Sequence, residues 1–142
     1  MNLAQNPRRL LFHGILLFLL GLLTGLVVHN LTNPRMGLSA HLEGVMNGVL
    51  LVVLGLVWPH LRLGARAEGI AFWSVLYAAY ANWATTLLSA YWGTGKLTTV
   101  AGAGHVGADW QEAIVSAGLV TVTLAGIGSI CLVLFGLRGA KA

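Results

Sequence analysis

Three polar side chains with chemical potential lie close together in an otherwise apolar stretch of the sequence. They are His41, Glu43 and Asn47. An imidazole can ligate a metal, a carboxylate can accept protons or hydrogen bonds, and an amide can orient a polar ligand. Such groups are costly at membrane depth, and their presence there is a hypothesis of function. The stretch therefore indicates a binding or catalytic site if it crosses a membrane.

His41 has two interpretations. It lies about 60° around a helix from Gly44, at the edge of a face that also carries Gly48 and Gly55. A histidine beside a face without side chains is suited to ligate a planar metallocofactor, because the cofactor ring can approach the backbone. The alternative is an interfacial histidine bonded to water or to a neighbouring carbonyl. The residues alone favour that alternative.

The amino-acid composition indicates whether this chain folds in water or in a membrane. Apolar residues make up 57% of the 142 residues and charged residues 8%, against about 25% charged in a typical soluble domain. The mean hydropathy is +0.81. The net charge of +4 comes from basic residues beside apolar segments, which indicates topology and not nucleic-acid binding. We predict an all-α integral membrane protein that forms a single domain over residues 1–142.

Four apolar segments have the length needed to cross a bilayer, about 20 residues for a core about 30 Å thick. Pro59 ends the second segment because proline cannot continue the helical hydrogen-bond ladder. Glu43 is the only formal charge in that segment. We therefore predict a bundle of four transmembrane helices. The predicted spans are about 10–29, 40–58, 70–92 and 113–137.

The basic residues are divided unevenly between the two sides of this topology. Only Arg35 and Lys96 lie on the second side, which we call the outer side. The positive-inside rule then places both termini in the cytoplasm. The connection over residues 94–110 is glycine-rich and long enough to cover the outer end of the bundle. The basic residues of the cytoplasmic side are Arg8, Arg9, Arg62, Arg66, Arg138 and Lys141.

Aligned glycines indicate where the helices approach each other. At 100° per residue, Gly14, Gly21 and Gly25 share one narrow face of the first span, and the second span has its own glycine face. In lipid, small residues let helix backbones approach closely. Such faces occur within one chain, between chains or against a flat ligand, and the spacing does not select among the three.

Two asparagines lie at similar depth on neighbouring spans. Helical rise puts Asn47 roughly 10 Å below the outer end of the second span, and Asn82 and Thr86 roughly 15 and 9 Å below that of the third. We therefore expect Asn47 and Asn82 to meet in the outer half of the bundle. They either join the helices by hydrogen bonds or line a polar pocket, and the residues favour neither.

The order and spacing of several short motifs resemble those of the styrene oxide isomerase and hydroxylaminobenzene mutase family, which consists of small four-helix bacterial membrane enzymes. The resemblance covers the first three spans, about two thirds of the chain. The motifs are Phe12-His13-Gly14-Ile15-Leu16, Ala40-His41 followed by Asn47-Gly48, and Tyr80-Ala81-Asn82.

The resemblance implies a homotrimer in the bacterial inner membrane that holds haem b between neighbouring subunits. It implies that His41 is the axial ligand of the haem iron and that Asn47 positions the substrate near the iron. Asn82 would join Asn47 in orienting the substrate. The substrate is then a small aromatic molecule that partitions into membrane lipid.

Two positions separate the branches of this family. The isomerase branch carries an aspartate four residues before the Asn82 position and a tyrosine four residues after it, where this chain has Ala78 and Thr86. The run Tyr80-Ala81-Asn82-Trp83 is similar to the mutase branch. That branch converts N-phenylhydroxylamine to 2-aminophenol in nitroaromatic degradation, and we expect the same activity here, with haem iron as a Lewis acid.

Two other functions stay open at this point. One is an epoxide-to-aldehyde isomerase of the same architecture, and the other is a non-enzymatic haem or electron-carrier subunit with His29 as a second iron ligand. Glu43 has two interpretations, as a partner of His41 or as an interfacial charge that reaches water. No zinc-protease spacing, phosphate-binding glycine loop or Ser/His/Asp arrangement occurs in the sequence, so conventional hydrolase and nucleotide chemistry have no support.

Overall fold

The computed structural model describes residues 5–138, in which four long helices are joined by short connections. The part of the chain that is described contains no strand, and the all-α prediction is confirmed. Turns of 3₁₀ helix at Val28–Asn30 and Trp58–His60 follow the first two long helices. The α-helices are α1 (Asn6–Val27), α2 (Pro34–Val57), α3 (Ala65–Trp92), a single turn α4 (Thr99–Gly102) and α5 (Asp109–Leu137).

Local sequence signals explain where α2 begins and α3 ends. The Asn33 side chain accepts a hydrogen bond from the Met36 N–H, and Pro34 occupies the first turn of α2. Gly93 ends α3 in the left-handed conformation, with φ of 69°. Because α2 starts at Pro34 and not near residue 40, the helix is longer than the apolar span that the sequence predicted. The capping signals extend it beyond the apolar residues.

Three helical segments of the described chain are long and apolar enough to cross a membrane. They are Asn6–Asn30, Pro34–His60 and Asp109–Leu137. The 28 residues of α3 are sufficient in length, but Tyr, Trp, Asn and Thr side chains lower its hydropathy. The membrane assignment is therefore supported by three helices, and the crossing by α3 stays a prediction.

The long helices pack in a row and not in a closed ring. α1 packs along α2, α2 packs along α3, and α3 packs along α5. Within residues 5–138, α5 makes no comparable contact with α1 or α2. Only 11% of the apolar stretch of α5 is buried. One copy of the chain therefore exposes large apolar faces, which are suited to lipid or to further copies.

The contact between α1 and α2 is a contact between backbones. A Cβ atom added at Gly21 would lie 2.5 Å from the Val45 nitrogen and 2.7 Å from the Gly44 carbonyl carbon. A Cβ atom added at Gly48 would lie 2.6 Å from the Phe18 nitrogen. Of the three uses that the glycine faces allowed, the structure shows close packing within one chain. The helices approach this closely only because the side chains are absent.

One end of the helix row gathers the basic residues. The Glu68 carboxylate accepts hydrogen bonds from the Asn6 amide at 3.1 Å and the Trp58 indole at 3.0 Å, which ties three helix ends together. The Arg62 N–H donates to the Gly136 carbonyl at 2.9 Å, which adds the end of α5. The five described arginines predicted to share a side lie at this end, and Lys141 lies outside the described residues. That this end faces the cytoplasm stays a prediction.

The opposite, outer end is covered by the connection between α3 and α5. The Glu112 carboxylate accepts hydrogen bonds from the backbone N–H groups of Gly95, Lys96 and Gly107, each at 3.0 Å. The Asn33 amide donates to two carbonyl groups of α4, at 3.2 and 3.0 Å. The connection that the sequence placed over the outer end is therefore fastened there by two side chains.

The α1–α2 contact predicts the effect of a single methyl group. Gly21→Ala is expected to lower the thermal unfolding temperature in detergent, because the new Cβ atom meets backbone atoms that cannot move independently. Overpacking of this kind costs about 1–3 kcal/mol. The matched control is Gly128→Ala in α5, where an added Cβ atom meets nothing within 4 Å. Equal decreases of the unfolding temperature in the two variants would contradict the proposed packing constraint.

Candidate active site

The polar residues of α2 point to two different sides of the helix. His41 faces α1, where its Nδ1 atom lies 2.8 Å from the Gly21 carbonyl oxygen. Glu43 faces α3, where its carboxylate meets the Asn82 amide. Positions 41 and 43 are separated by about 200° around a helix, so both contacts follow from regular helical geometry. Within one chain, His41 is thus separated from the residues that meet α3.

The two asparagines lie together, and a carboxylate joins them. One oxygen of Glu43, Oε2, accepts a hydrogen bond from the Asn47 amide at 3.1 Å and another from the Asn82 amide. Glu43 and Asn47 are four residues apart and share one face of α2. Helical depth had predicted that the asparagines would meet, and their meeting point is this carboxylate. The cluster links α2 to α3 through hydrogen bonds to one carboxyl oxygen.

A cavity of about 150 Å³ lies beside this cluster, between α2, α3 and α5. Asn47, Asn82 and Ser129 are polar groups in its lining, and most of the remaining lining is aliphatic. A cavity of about this size holds one benzene molecule in other proteins. The arrangement therefore offers an apolar space for one aromatic ring with polar side chains at its wall.

His41 is held by the glycine face of α1. A carbonyl oxygen only accepts, so the 2.8 Å contact with Gly21 places the proton on Nδ1 and leaves a lone pair on Nε2. Gly25 packs on the ring, since a Cβ atom there would lie 2.8 Å from Nδ1. Histidines that ligate metals are oriented by this kind of contact through their other ring nitrogen. The alternative interpretation of His41 expected a hydrogen bond to a neighbouring carbonyl, and this bond is present. It leaves Nε2 available to a ligand.

His41 opens onto a groove at the outer ends of α1 and α2. The groove has a volume of about 580 Å³, and His29 and Arg35 line it together with apolar side chains. Between residues 5 and 138, no group of three or more His, Cys, Asp or Glu side chains is placed to hold a metal ion. The groove therefore offers a single oriented imidazole as a metal donor, with an arginine and a second histidine nearby.

Sequence reasoning missed two groups of contacts. It left Glu43 as a partner of His41 or a charge that reaches water, whereas the carboxylate bonds to both asparagines. The four-residue spacing of Glu43 and Asn47 was the available signal. It also proposed no partner for His13. The Tyr80 hydroxyl donates to the His13 carbonyl at 3.2 Å and lies 3.2 Å from the Nδ1 atom of His13. No spacing within one helix predicts that second pair.

The shared carboxylate predicts non-additive stability effects. Asn47→Ala and Asn82→Ala each remove one hydrogen bond to the Glu43 carboxyl group, which is expected to cost about 1–3 kcal/mol. The loss of unfolding free energy in the double variant is expected to differ from the sum of the two single losses by about 0.5–3 kcal/mol, because the double variant removes both amide partners of one oxygen. Thermal or denaturant unfolding of the four proteins measures the deviation. Strict additivity would show that the two amides do not share a partner.

Comparison with known proteins adds a family context to this geometry. The family model described as styrene oxide isomerase matches residues 6–138. A hydroxylaminobenzene mutase of Ectopseudomonas oleovorans, HabB, is 48% identical over 140 residues, which cover 98% of this chain and 85% of the relative. A second mutase of that organism, HabA, is 41% identical over 125 residues, which cover 87% and 93%. No solved structure matches the chain significantly.

Proposed function

The chain belongs to the styrene oxide isomerase family and is an enzyme of the isomerase class, and we propose that it converts N-phenylhydroxylamine to 2-aminophenol. Two relatives above 40% identity are named hydroxylaminobenzene mutases, and each alignment covers most of both chains. The observation that carries the proposal is the aromatic-sized cavity lined by Asn47 and Asn82. It combines an apolar space with amides that can hold a hydroxylamine.

The proposed reaction is a balanced isomerisation. The N–O bond of the substrate breaks, and a C–O bond forms at the ortho carbon of the ring. The proton lost from that carbon is matched by a proton gained at nitrogen, so no electrons are transferred overall. The enzyme needs to polarise the N–O bond, hold the ring, and keep water from a reactive cationic ring.

The described residues supply the last two requirements. Asn47 and Asn82 orient the hydroxylamine group by hydrogen bonds, at a wall whose amides are held by Glu43. The aliphatic side chains that form most of the cavity lining favour contact with the ring over contact with water. Binding of this kind brings the migrating oxygen and the ortho carbon into one fixed geometry.

Haem b is the cofactor that the family implies for polarising the N–O bond. His41 would hold the haem through Nε2, because Nδ1 is engaged by Gly21 and Nε2 carries a lone pair. The cationic Arg35 lines the same groove and suits the carboxylate groups of a haem. When bound through His41, the iron would supply a Lewis acid. This ligand role of His41 and the cofactor itself are parts of the proposal.

A homotrimer accounts for the separation of His41 from the asparagines. The two sets of residues lie on different sides of α2 in one chain, and α5 leaves large apolar faces exposed. We propose that His41 of one subunit serves the cavity of its neighbour, with the cofactor between them. The trimer would lie in the bacterial inner membrane, with four crossings per chain and both termini in the cytoplasm.

The substrate proposal predicts the outcome of a two-substrate assay. Purified protein in detergent is expected to form 2-aminophenol from N-phenylhydroxylamine and little or no phenylacetaldehyde from styrene oxide, because Ala78 and Thr86 replace the two polar residues of the epoxide branch. Chromatography of both reactions measures the products. Efficient isomerisation of styrene oxide without 2-aminophenol formation would reverse the assignment in favour of the epoxide isomerase.

The ligand proposal predicts the phenotype of His41→Ala. This variant is expected to lose both the Soret absorption band and turnover, because the single oriented imidazole is removed. His60→Ala at the basic end is the matched control and is expected to retain both, since His60 is exposed there. Absorption spectra and product formation are compared for the three proteins. Full activity and an intact Soret band in His41→Ala would refute the role of His41.

A further inference from the structure

The hydrogen bonds of the Glu43 cluster fix the direction of two asparagine amides. Both amide nitrogens contact the same carboxylate oxygen, Oε2. An amide NH₂ group donates and does not accept, so both contacts are donations to this oxygen. Glu43 therefore turns the NH₂ groups of Asn47 and Asn82 towards itself.

The carbonyl oxygens of the two asparagines are then left for the cavity. An amide that points its NH₂ group at one partner points its Oδ1 atom in another direction. Within residues 5–138, neither Oδ1 atom has a hydrogen-bond partner. Both side chains line the cavity between α2, α3 and α5. The oxygens are thus free to accept hydrogen bonds from a molecule bound there.

Ser129, the third polar side chain of the cavity lining, also presents a hydrogen-bond acceptor. The Ser129 hydroxyl donates its proton to the Gly126 carbonyl at 2.9 Å, within α5. Its oxygen keeps lone pairs and has no second proton to offer. The three polar side chains that line the cavity therefore present acceptors, and the rest of the lining is apolar.

We propose that this cavity selects its ligands by accepting hydrogen bonds, and that Glu43 is the positioning residue that sets this polarity. A ligand with N–H or O–H groups beside an aromatic ring satisfies the acceptors. A ligand of the same shape without such groups leaves them unpaired in an apolar site, which lowers its affinity. An arylhydroxylamine carries both kinds of donor and an epoxide carries neither. The inference rests on the proposed function for the reaction, and its selectivity is testable without turnover.

The test uses two inert ligands of nearly equal size, benzyl alcohol and benzaldehyde. The alcohol has one O–H donor and the aldehyde has none. Direct binding to the full-length protein, isolated with its native cofactor content, is measured by calorimetry or ligand-observed NMR. The wild-type protein is expected to bind the alcohol roughly tenfold more tightly, the effect of a well-made hydrogen bond.

Glu43→Gln is expected to lower this preference to about equal affinity. A glutamine accepts from one asparagine and donates to the other, which turns one NH₂ group towards the cavity. Asn47→Leu is a second variant that removes one acceptor and is expected to weaken alcohol binding alone. Glu68→Gln is the matched control, because Glu68 also accepts from an amide but lies at the opposite end of the bundle. The Glu68→Gln variant is expected to prefer the alcohol over the aldehyde as strongly as the wild-type protein does.

The outcomes separate this inference from the proposed function. Equal binding of the two ligands by the wild type, or an unchanged preference in both Glu43→Gln and Asn47→Leu, would overturn the acceptor-lined cavity. Absence of 2-aminophenol formation by a wild-type protein that prefers the alcohol would overturn the proposed reaction and leave the selectivity intact.

Discussion

The close approach of α1 and α2 is the constraint on which the other contacts depend. In lipid, the hydrophobic effect does not drive helices together, so packing distance decides which helix pairs are stable. At Gly21 and Gly44 the backbones are near enough that a methyl group would collide with them. That distance brings the Gly21 carbonyl within reach of His41. It also lets Trp83 of α3 cross the contact and donate to Thr24 on α1 at 3.1 Å.

α2 is consequently a helix with two functional sides. Its glycine face holds α1 and orients an imidazole, and its polar face holds α3 through a carboxylate and two amides. A rotation of α2 that improved one side would disturb the other. The two sides also divide the chemistry, since the candidate ligand and the candidate substrate groups do not share a face. This division is the physical reason for our proposal that a neighbouring subunit completes the site.

The predictable parts of the structure are those that depend on one helix at a time. Uncharged segments predicted the helices, and the residue count along each predicted that Asn47 and Asn82 meet. Contacts that depend on the relative rotation of two helices were beyond such reasoning, as Tyr80 with His13 and the bond from His41 to Gly21 illustrate. The open row of helices was not predicted either, because an apolar α5 suits lipid and protein equally. Assembly between chains leaves still less trace in a single sequence.

The exposed outer face of α5 makes the cavity depend on its surroundings. Two walls of the cavity belong to α2 and α3, whereas the third belongs to a helix that packs along α3 and leaves most of its apolar stretch exposed within the described chain. Whatever presses on the outer face of α5, whether acyl chains or another subunit, therefore helps to set the width of the cavity. The lateral pressure of a bilayer around this chain would then act on the shape of the candidate site. The width of the cavity would depend on the membrane as well as on the polypeptide.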